Sequence, residues 1–289
     1  MSAGAGTHSA DQPAAARWRR LVVDRLEEME RLSAGLGLLS GHFWDRRADR
    51  YAANVNLADT EGDPFMRRLR QITGPSSSAI DVGAGTGRFA LCLAPGVRQV
   101  TAVDPSAAML AILRRDAERL GLTNVTTVLG TWEDAGTPPA DVVFSAFVLP
   151  VVPDAPRFLK KLEAAARHHA LLYLGAYCGD AVLDPLWRHF HGAPRAPGPS
   201  YLDALAVLRE LGVSPKVKVV EIANRRRFST LDDAVEHYRD GLLLPDEPGV
   251  RRELAGLLTT WLLGRRGALR PPLRAVPAAI IHWRPRPEN

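Results

Sequence analysis

Ala79-Ile-Asp-Val-Gly-Ala-Gly-Thr-Gly-Arg88 decides how this chain is read. Ala79 to Val82 is a short apolar run with the composition of a buried strand. Gly83, Gly85 and Gly87 then alternate. Each lacks a Cβ, so the main chain can take positive φ and a ligand can lie almost against it. A helix over about Arg88 to Leu93 follows, and its first turn leaves backbone N–H groups free to face that ligand. The spacing is G-x-G-x-G, one residue shorter than the G-x-G-x-x-G that seats a pyrophosphate on a helix N-terminus. Asp81 stands two positions before the first glycine. A carboxylate there repels a pyrophosphate and suits a ligand that carries a cationic amine.

Val100-Thr-Ala-Val-Asp104 reads as a second strand that ends in an acid. In a βαβ unit this is the place from which an adenosine ribose is gripped. Together, Asp81 to Gly87 and Val103-Asp104-Pro-Ser resemble the class I S-adenosylmethionine-dependent methyltransferases. The resemblance spans about Phe43 to Tyr177 and implies S-adenosyl-L-methionine as the cofactor. It lays Gly83, Ala84, Gly85 and Gly87, with Asp81 behind them, against the methionine part. It gives the ribose hydroxyls to Asp104, with Pro105 and Met109 beside it. Related proteins carry a Trp…Ala…Tyr segment that folds over the cofactor, which points to Trp44 and Tyr51. Aromatic faces attract cations, and a sulfonium is one. The alternative for these two rings is simple anchoring of their helix to the sheet. For the adenine, the resemblance points to the loop Gly130-Thr-Trp-Glu-Asp134. Thr131 occupies the position where Asp is frequent, so Thr131, Trp132 and Glu133 are the candidate neighbours.

The implied fold is α/β, a Rossmann-like three-layer sandwich. Its seven-stranded, mostly parallel sheet has an antiparallel last strand inserted between strands 5 and 6. The strands are read at Ser78–Val82, Gln99–Asp104, Val125–Leu129, Asp141–Val148, Ala170–Tyr177, Val217–Ile222 and Ala278–Trp283. Residues 1–14 are rich in Ala, Gly and Ser and read as a disordered tail. Residues 15–70 read as an N-terminal helical segment, and 71–289 as the methyltransferase domain. In the helix over about Ala16 to Leu36, Trp18, Leu21, Val22, Leu26, Met29 and Leu32 recur at three- and four-residue spacing. That stripe suits a lid, a homodimer contact or packing on the domain's flank. Helices are read over Ser106–Leu120, Asp154–His168 and Tyr201–Leu211. Two more, within about 229–265, form an insert before the last strand and are the candidate substrate cap.

Composition narrows the class. Of 289 residues, 46% are hydrophobic and 24% charged, as in an ordinary globular protein. No apolar run reaches the ~18 residues of a membrane span, and the first residues lack a basic n-region and an apolar h-region. The cytoplasm is the expected compartment. Cys92 and Cys178 read as reduced core residues. The net charge is +5, with six arginines and one glutamate from Arg265 to Asn289. That stretch suits an anionic partner or a merely solvated surface.

The carboxyl end of the fourth strand, Ser145 to Val148, should face the reaction site, because open α/β sheets bind ligands at strand C-termini. Leu149-Pro150-Val151 stands where many relatives carry a His or Tyr. Tyr177, His189 and His191 are therefore the candidate bases, should the acceptor need to lose a proton. His189 and His191 have no third ligand at a telling spacing, so no metal is expected. The leading reading is methyl transfer to an oxygen or nitrogen of a small molecule. A nucleic-acid substrate would use the arginines, but the Asn/Asp-Pro-Pro-Tyr/Phe motif is missing after the fourth strand. A non-catalytic scaffold that keeps the cofactor seat is the third reading.

Overall fold

The computed structural model describes residues 12–33, 44–53, 57–176, 183–264 and 268–286. Helices α1 (Ala14–Ser33), α2 (Ala48–Ala53), α3 (Leu57–Glu61) and α4 (Pro64–Ile72) precede the first strand. Then β1 (Ser78–Val82), α5 (Arg88–Leu93), β2 (Gln99–Asp104), α6 (Ala107–Arg119), β3 (Val125–Leu129) and β4 (Ala140–Ala146) alternate. Next come α7 (Ala155–Ala165), β5 (Ala166–Gly175), α8 (Asp184–His191), α9 (Tyr201–Glu210) and β6 (Lys216–Ala223). The insert helices α10 (Leu231–Gly241) and α11 (Pro248–Trp261) lead to β7 (Ala275–Trp283).

The seven strands lie in the order β3-β2-β1-β4-β5-β7-β6. β1 to β5 pair in parallel, and β7 is antiparallel to both β5 and β6. The first three strands have the bounds read from the sequence. β5 differs: it starts at Ala166, where the periodicity suggested that a helix ran on to His168. Ala166 pairs with Ala140, and the chain enters the sheet directly from the end of α7. The helical period carried no sign of this, because Arg167 and His168 are exposed and obey neither pattern.

Alternation along the strands produces the three layers. Ile80, Val82, Val143, Leu172 and Ile281 face one side and pack with Phe158 and Leu159 of α7, Ala204 and Leu208 of α9, and Trp18 and Val22 of α1. Ala79, Val142, Phe144, Leu171 and Tyr173 face the other and meet Phe65 of α4, Leu91 of α5 and Leu113 of α6. α1 is therefore a flank helix. Trp18 is fully buried and its Nε1 donates to the Val152 carbonyl at 2.8 Å. Farther along α1, Met29 and Leu32 pack against a third cluster made by α8, α10 and α11, centred on Trp187, Tyr238, Leu254 and Leu258. The insert thus has its own small core, with α1 as its strut.

α9 begins in a capping box in which Ser200 and Asp203 exchange side-chain and backbone hydrogen bonds. Asp203 also receives Arg17 of α1 at 2.8 Å. Ser200→Ala is expected to lower stability by about 1 kcal/mol, measurable as a shift of the urea midpoint with unchanged slope. Cys92 is buried, and burial lifts its thiol to about 11, as befits an inert core residue. Cys178 lies outside the described residues. Among the described residues no helix is long and apolar enough to cross a membrane.

Candidate active site

Register places the glycine loop. Val82, the last residue of β1, is level with Val103 on one side and Ser145 on the other. The loop therefore opens at the carboxyl ends of β1, β2 and β4, where an open α/β sheet binds ligands. Gly83, Gly85 and Gly87 have φ of 72°, 55° and 87°, so all three adopt the left-handed conformation that penalises a Cβ. The Gly83 and Ala84 N–H groups both donate to the Val103 carbonyl, at 2.8 and 3.0 Å, which pins the turn against β2. A Cβ on Gly83 would sit 2.2 Å from Val148 Cγ2, and one on Gly87 would sit 2.8 Å from Leu113 Cγ. At Gly85 the nearest atom is Tyr51 Cε1, 3.9 Å away. Gly83 and Gly87 are thus demanded by packing as well as by φ, while Gly85 leaves its main chain bare under the Tyr51 ring.

Asp104 closes the loop from β2. One carboxylate oxygen accepts from Gly85 N at 2.8 Å, the other from Ser106 N at 2.9 Å. Burial raises its pKa, with Asp45 adding to the rise, and the two backbone hydrogen bonds oppose it. Asp81 is 3% exposed. Burial pushes its carboxyl up to about 8; a hydrogen bond from the Ala90 backbone lowers it and the nearby Asp104 raises it. Two acids therefore converge behind the loop. Thr86 Oγ1, also in the loop, is buried with no hydrogen-bond partner among the described residues.

Asp45 was not singled out in the sequence, yet it holds the cover in place. It accepts from Ser106 Oγ at 2.6 Å and from Ala108 N at 3.3 Å. The short helical segment over residues 45–53 is thereby fastened to the start of α6. Ala48 and Met109 complete the join as a small apolar cluster with Ile112, so Met109 is buried packing at this seam. Pro105 is exposed on the turn before it. Trp44 and Tyr51 meet edge to face at 6.1 Å and are 43% and 40% exposed. Both rings remain accessible, and Tyr51 lies beside the glycine loop at Gly85. Desolvation raises the Tyr51 phenol, Arg88 opposes this, and Asp81 and Asp104 add to it. The phenol therefore belongs to the same electrostatic neighbourhood as the two acids.

The loop after β3 departs from the reading. Trp132 is 3% exposed and belongs to the core, where Nε1 donates to the Phe158 carbonyl and Lys161 Nζ lies 4.8 Å from the ring centroid. Its indole is held by α7. Thr131 is exposed and its hydroxyl donates to Asp134 at 2.8 Å, while Glu133 offers its carbonyl to Lys161. Ser145 is buried, and its hydroxyl donates to the Val82 carbonyl at 2.9 Å. It staples β4 to β1 and does not point out of the sheet.

The side chain that does stand at the end of β4 is Phe147. It has φ of 62° and is 41% exposed. A left-handed phenylalanine is a strained backbone of the kind that clusters at functional sites. Its N–H donates to the Tyr173 carbonyl at 2.7 Å, and its ring lies 4.7 Å from that of Tyr173. Burial drives the Tyr173 phenol upward, with Asp63 next. Arg88 holds Asp63 in an ion pair at 2.8 Å. Phe147 lies within the strand end expected to face the site; its left-handed backbone was not foreseen, because nothing in its neighbours signals positive φ.

The candidate bases do not gather here. His189 pairs with Glu253 of α11 at 2.7 Å. His191 meets the Leu242 carbonyl at 2.8 Å and packs on Trp187 at 4.3 Å. Both tie α8 to the insert, and no described contact links them to the glycine loop. Tyr177 lies outside the described residues.

The fold and the loop define a Rossmann-like domain with a left-handed glycine turn at the carboxyl end of its sheet. Comparison with known proteins sharpens this. Residues 79–169 match a methyltransferase domain family. An uncharacterized protein of Haemophilus influenzae is 27% identical over 184 residues, 62% of this chain and 66% of that protein. The protein-L-isoaspartate O-methyltransferase of Koribacter versatilis is 31% identical over 116 residues, 37% of this chain and 52% of that enzyme. The match thus spans about half to two thirds of the length of these relatives. The crystal structure of the YcgJ protein of Bacillus subtilis superposes with a TM-score of 0.52 at 16% identity, covering 77% of this chain and 98% of that one, which shows the fold. These findings support the reading of residues 79–169 as a class I S-adenosylmethionine-dependent methyltransferase domain.

Proposed function

We propose that the protein transfers a methyl group from S-adenosyl-L-methionine to an oxygen or nitrogen of a small molecule. The observation that carries this reading is the loop itself: three left-handed glycines bare of Cβ, backed by two buried acids, under an aromatic cover. Gly85 leaves its main chain open to the methionine part, Asp81 supplies a carboxyl to its amine, and Asp104 is the acceptor at hand for ribose hydroxyls. The buried, unpaired Thr86 hydroxyl is a further polar group that this loop leaves without a partner.

When bound, the cofactor supplies an already activated methyl group, so the chain's own task is placement. Alignment of two reactants is worth ~7–11 kcal/mol of barrier. Trp44 and Tyr51 exclude water from above the loop. Phe147 forms an apolar wall at the end of β4, which favours an acceptor with an apolar or aromatic body. Since His189 and His191 tie α8 to the insert, they are not assigned proton transfer.

The test is a thermal melt with S-adenosylhomocysteine. At 100 times Kd a ligand that binds only the native state adds ~2.7 kcal/mol, which raises the midpoint by several degrees in a chain of this size. Asp104→Ala should abolish the rise, and a methylation panel of small phenols, carboxylic acids and amines should then yield a product. A flat melt for the wild type overturns the cofactor assignment. A shifted melt with no product from the panel overturns the small-molecule assignment.

A further inference from the structure

The other end of the sheet carries a second feature that methyl transfer does not use. Two cavities adjoin there, of about 510 and 260 Å³. The larger lies below the amino ends of β4 and β5 and is lined by Ser77, Arg167, His168, His169 and Arg284. The smaller runs between α4 and the β6–β7 edge, between Arg67 and Arg68 on one side and Lys216, Lys218 and His282 on the other. Six Lys and Arg side chains thus line the pair, against a single acid, Asp141. That acid is already engaged. It accepts from Ser78 N and Ser78 Oγ at 2.8 and 2.9 Å, and these bonds hold it below the usual carboxylate range. Among the described residues Lys216, Lys218 and Arg284 have no carboxylate partner.

A polarised chain of side chains joins the two cavities. Arg68 Nη2 lies 3.1 Å from His282 Nδ1, and His282 Nε2 lies 2.9 Å from His169 Nδ1. A guanidinium only donates, so His282 Nδ1 is an acceptor and its proton is on Nε2. That proton is donated to His169 Nδ1, which leaves the His169 proton on Nε2 as a donor with no partner among the described residues. Burial, then the surrounding cations, press His282 down to about 4 and lower His169 as well, which disfavours the charged form of both rings. The chain therefore ends in an N–H on a ring that lines the larger cavity, in a field of positive charge. That arrangement recognises an anion rich in acceptor oxygens.

We propose that these joined cavities bind a ligand carrying two or more phosphoryl groups, with Arg167, Arg284 and the His169 N–H in the larger and Arg67, Lys216 and Lys218 in the smaller. The site lies about a strand's length, roughly 16 Å for five residues, from the glycine loop. Its ligand is therefore neither cofactor nor methyl acceptor, and the proposal stands apart from the reading of the glycine loop. Free polyphosphates and nucleic-acid backbones share this chemistry.

The experiment uses the full chain at 50 mM salt with two probes, inorganic triphosphate by calorimetry and a fluorescein-labelled single-stranded RNA of ten nucleotides by anisotropy. At least one probe should bind. Lys216→Glu/Lys218→Glu and Arg284→Glu should each weaken it tenfold or more. His282→Phe, which removes no charge at pH 7, should weaken it several-fold by freeing the His169 tautomer. RNA binding with a log–log salt slope of about −2 or steeper, as for three or more phosphate contacts on a single strand, identifies a nucleic-acid source. Triphosphate binding without RNA binding identifies a small polyphosphate. Circular dichroism confirms that each variant is folded. Failure of both probes to bind, or binding that the charge reversals leave unchanged, overturns the proposal.

Discussion

Gly83→Ala should be among the most damaging single-methyl additions this chain can receive. Two independent costs meet at that atom. A left-handed φ of 72° penalises any Cβ by about 1–2 kcal/mol. The new carbon would also sit 2.2 Å from Val148 Cγ2, and overpacking of this kind costs about 1–3 kcal/mol more. Val148 is β-branched and cannot easily swing aside. The total, about 2–5 kcal/mol, should appear in urea unfolding, together with loss of the melt shift from S-adenosylhomocysteine. Gly83→Ala/Val148→Ala separates the two costs. The double variant should regain the part due to the clash and keep the part due to φ. A single variant as stable as the wild type would show that the loop does not need the conformation described.

Asp81 carries the second large effect, and its sign follows from burial. Its carboxyl is at about 8 in the fold and near 3.9 in an unfolded chain. A raised group favours the fold in its protonated form. Its contribution is complete below about pH 4 and is lost as the pH rises through about 8. The ligand-free protein should therefore lose stability over that window, on the order of several kcal/mol, whereas Asp81→Asn should stay flatter. Urea unfolding at pH 5, 6.5 and 8 measures the difference between the two. A cationic amine placed against Asp81 reverses the preference and expels the proton. Affinity for S-adenosylhomocysteine should then rise with pH toward 8, by up to about tenfold per pH unit, and calorimetry in buffers of different ionisation heat should register the released proton. Parallel pH profiles for wild type and Asp81→Asn would place the amine elsewhere.

Much of this protein is legible without coordinates, and the legible part is local. The strand at Ser78–Val82 and its glycine turn depend on residues within a few positions of one another, as do the Ser106 and Ser200 caps. The order β5-β7-β6 was also accessible, because it follows from the resemblance that Asp81 to Gly87 and Asp104 support. What the tertiary structure alone decided are the contacts between residues distant in the chain. Trp132 looked like a base-stacking ring until α7 offered the Phe158 carbonyl and a buried slot. His189 and His191 were candidate bases in the sequence, and the fold supplied Glu253 and the Leu242 carbonyl as their partners. Phe147 takes a left-handed backbone while its N–H donates to the Tyr173 carbonyl on the neighbouring strand. The histidine chain from Arg68 to His169 exists only because β5 and β7 lie side by side. Propensity and spacing act over about one turn or one strand, whereas a side chain's final partner is set by which elements pack together, and that information is spread over the whole chain.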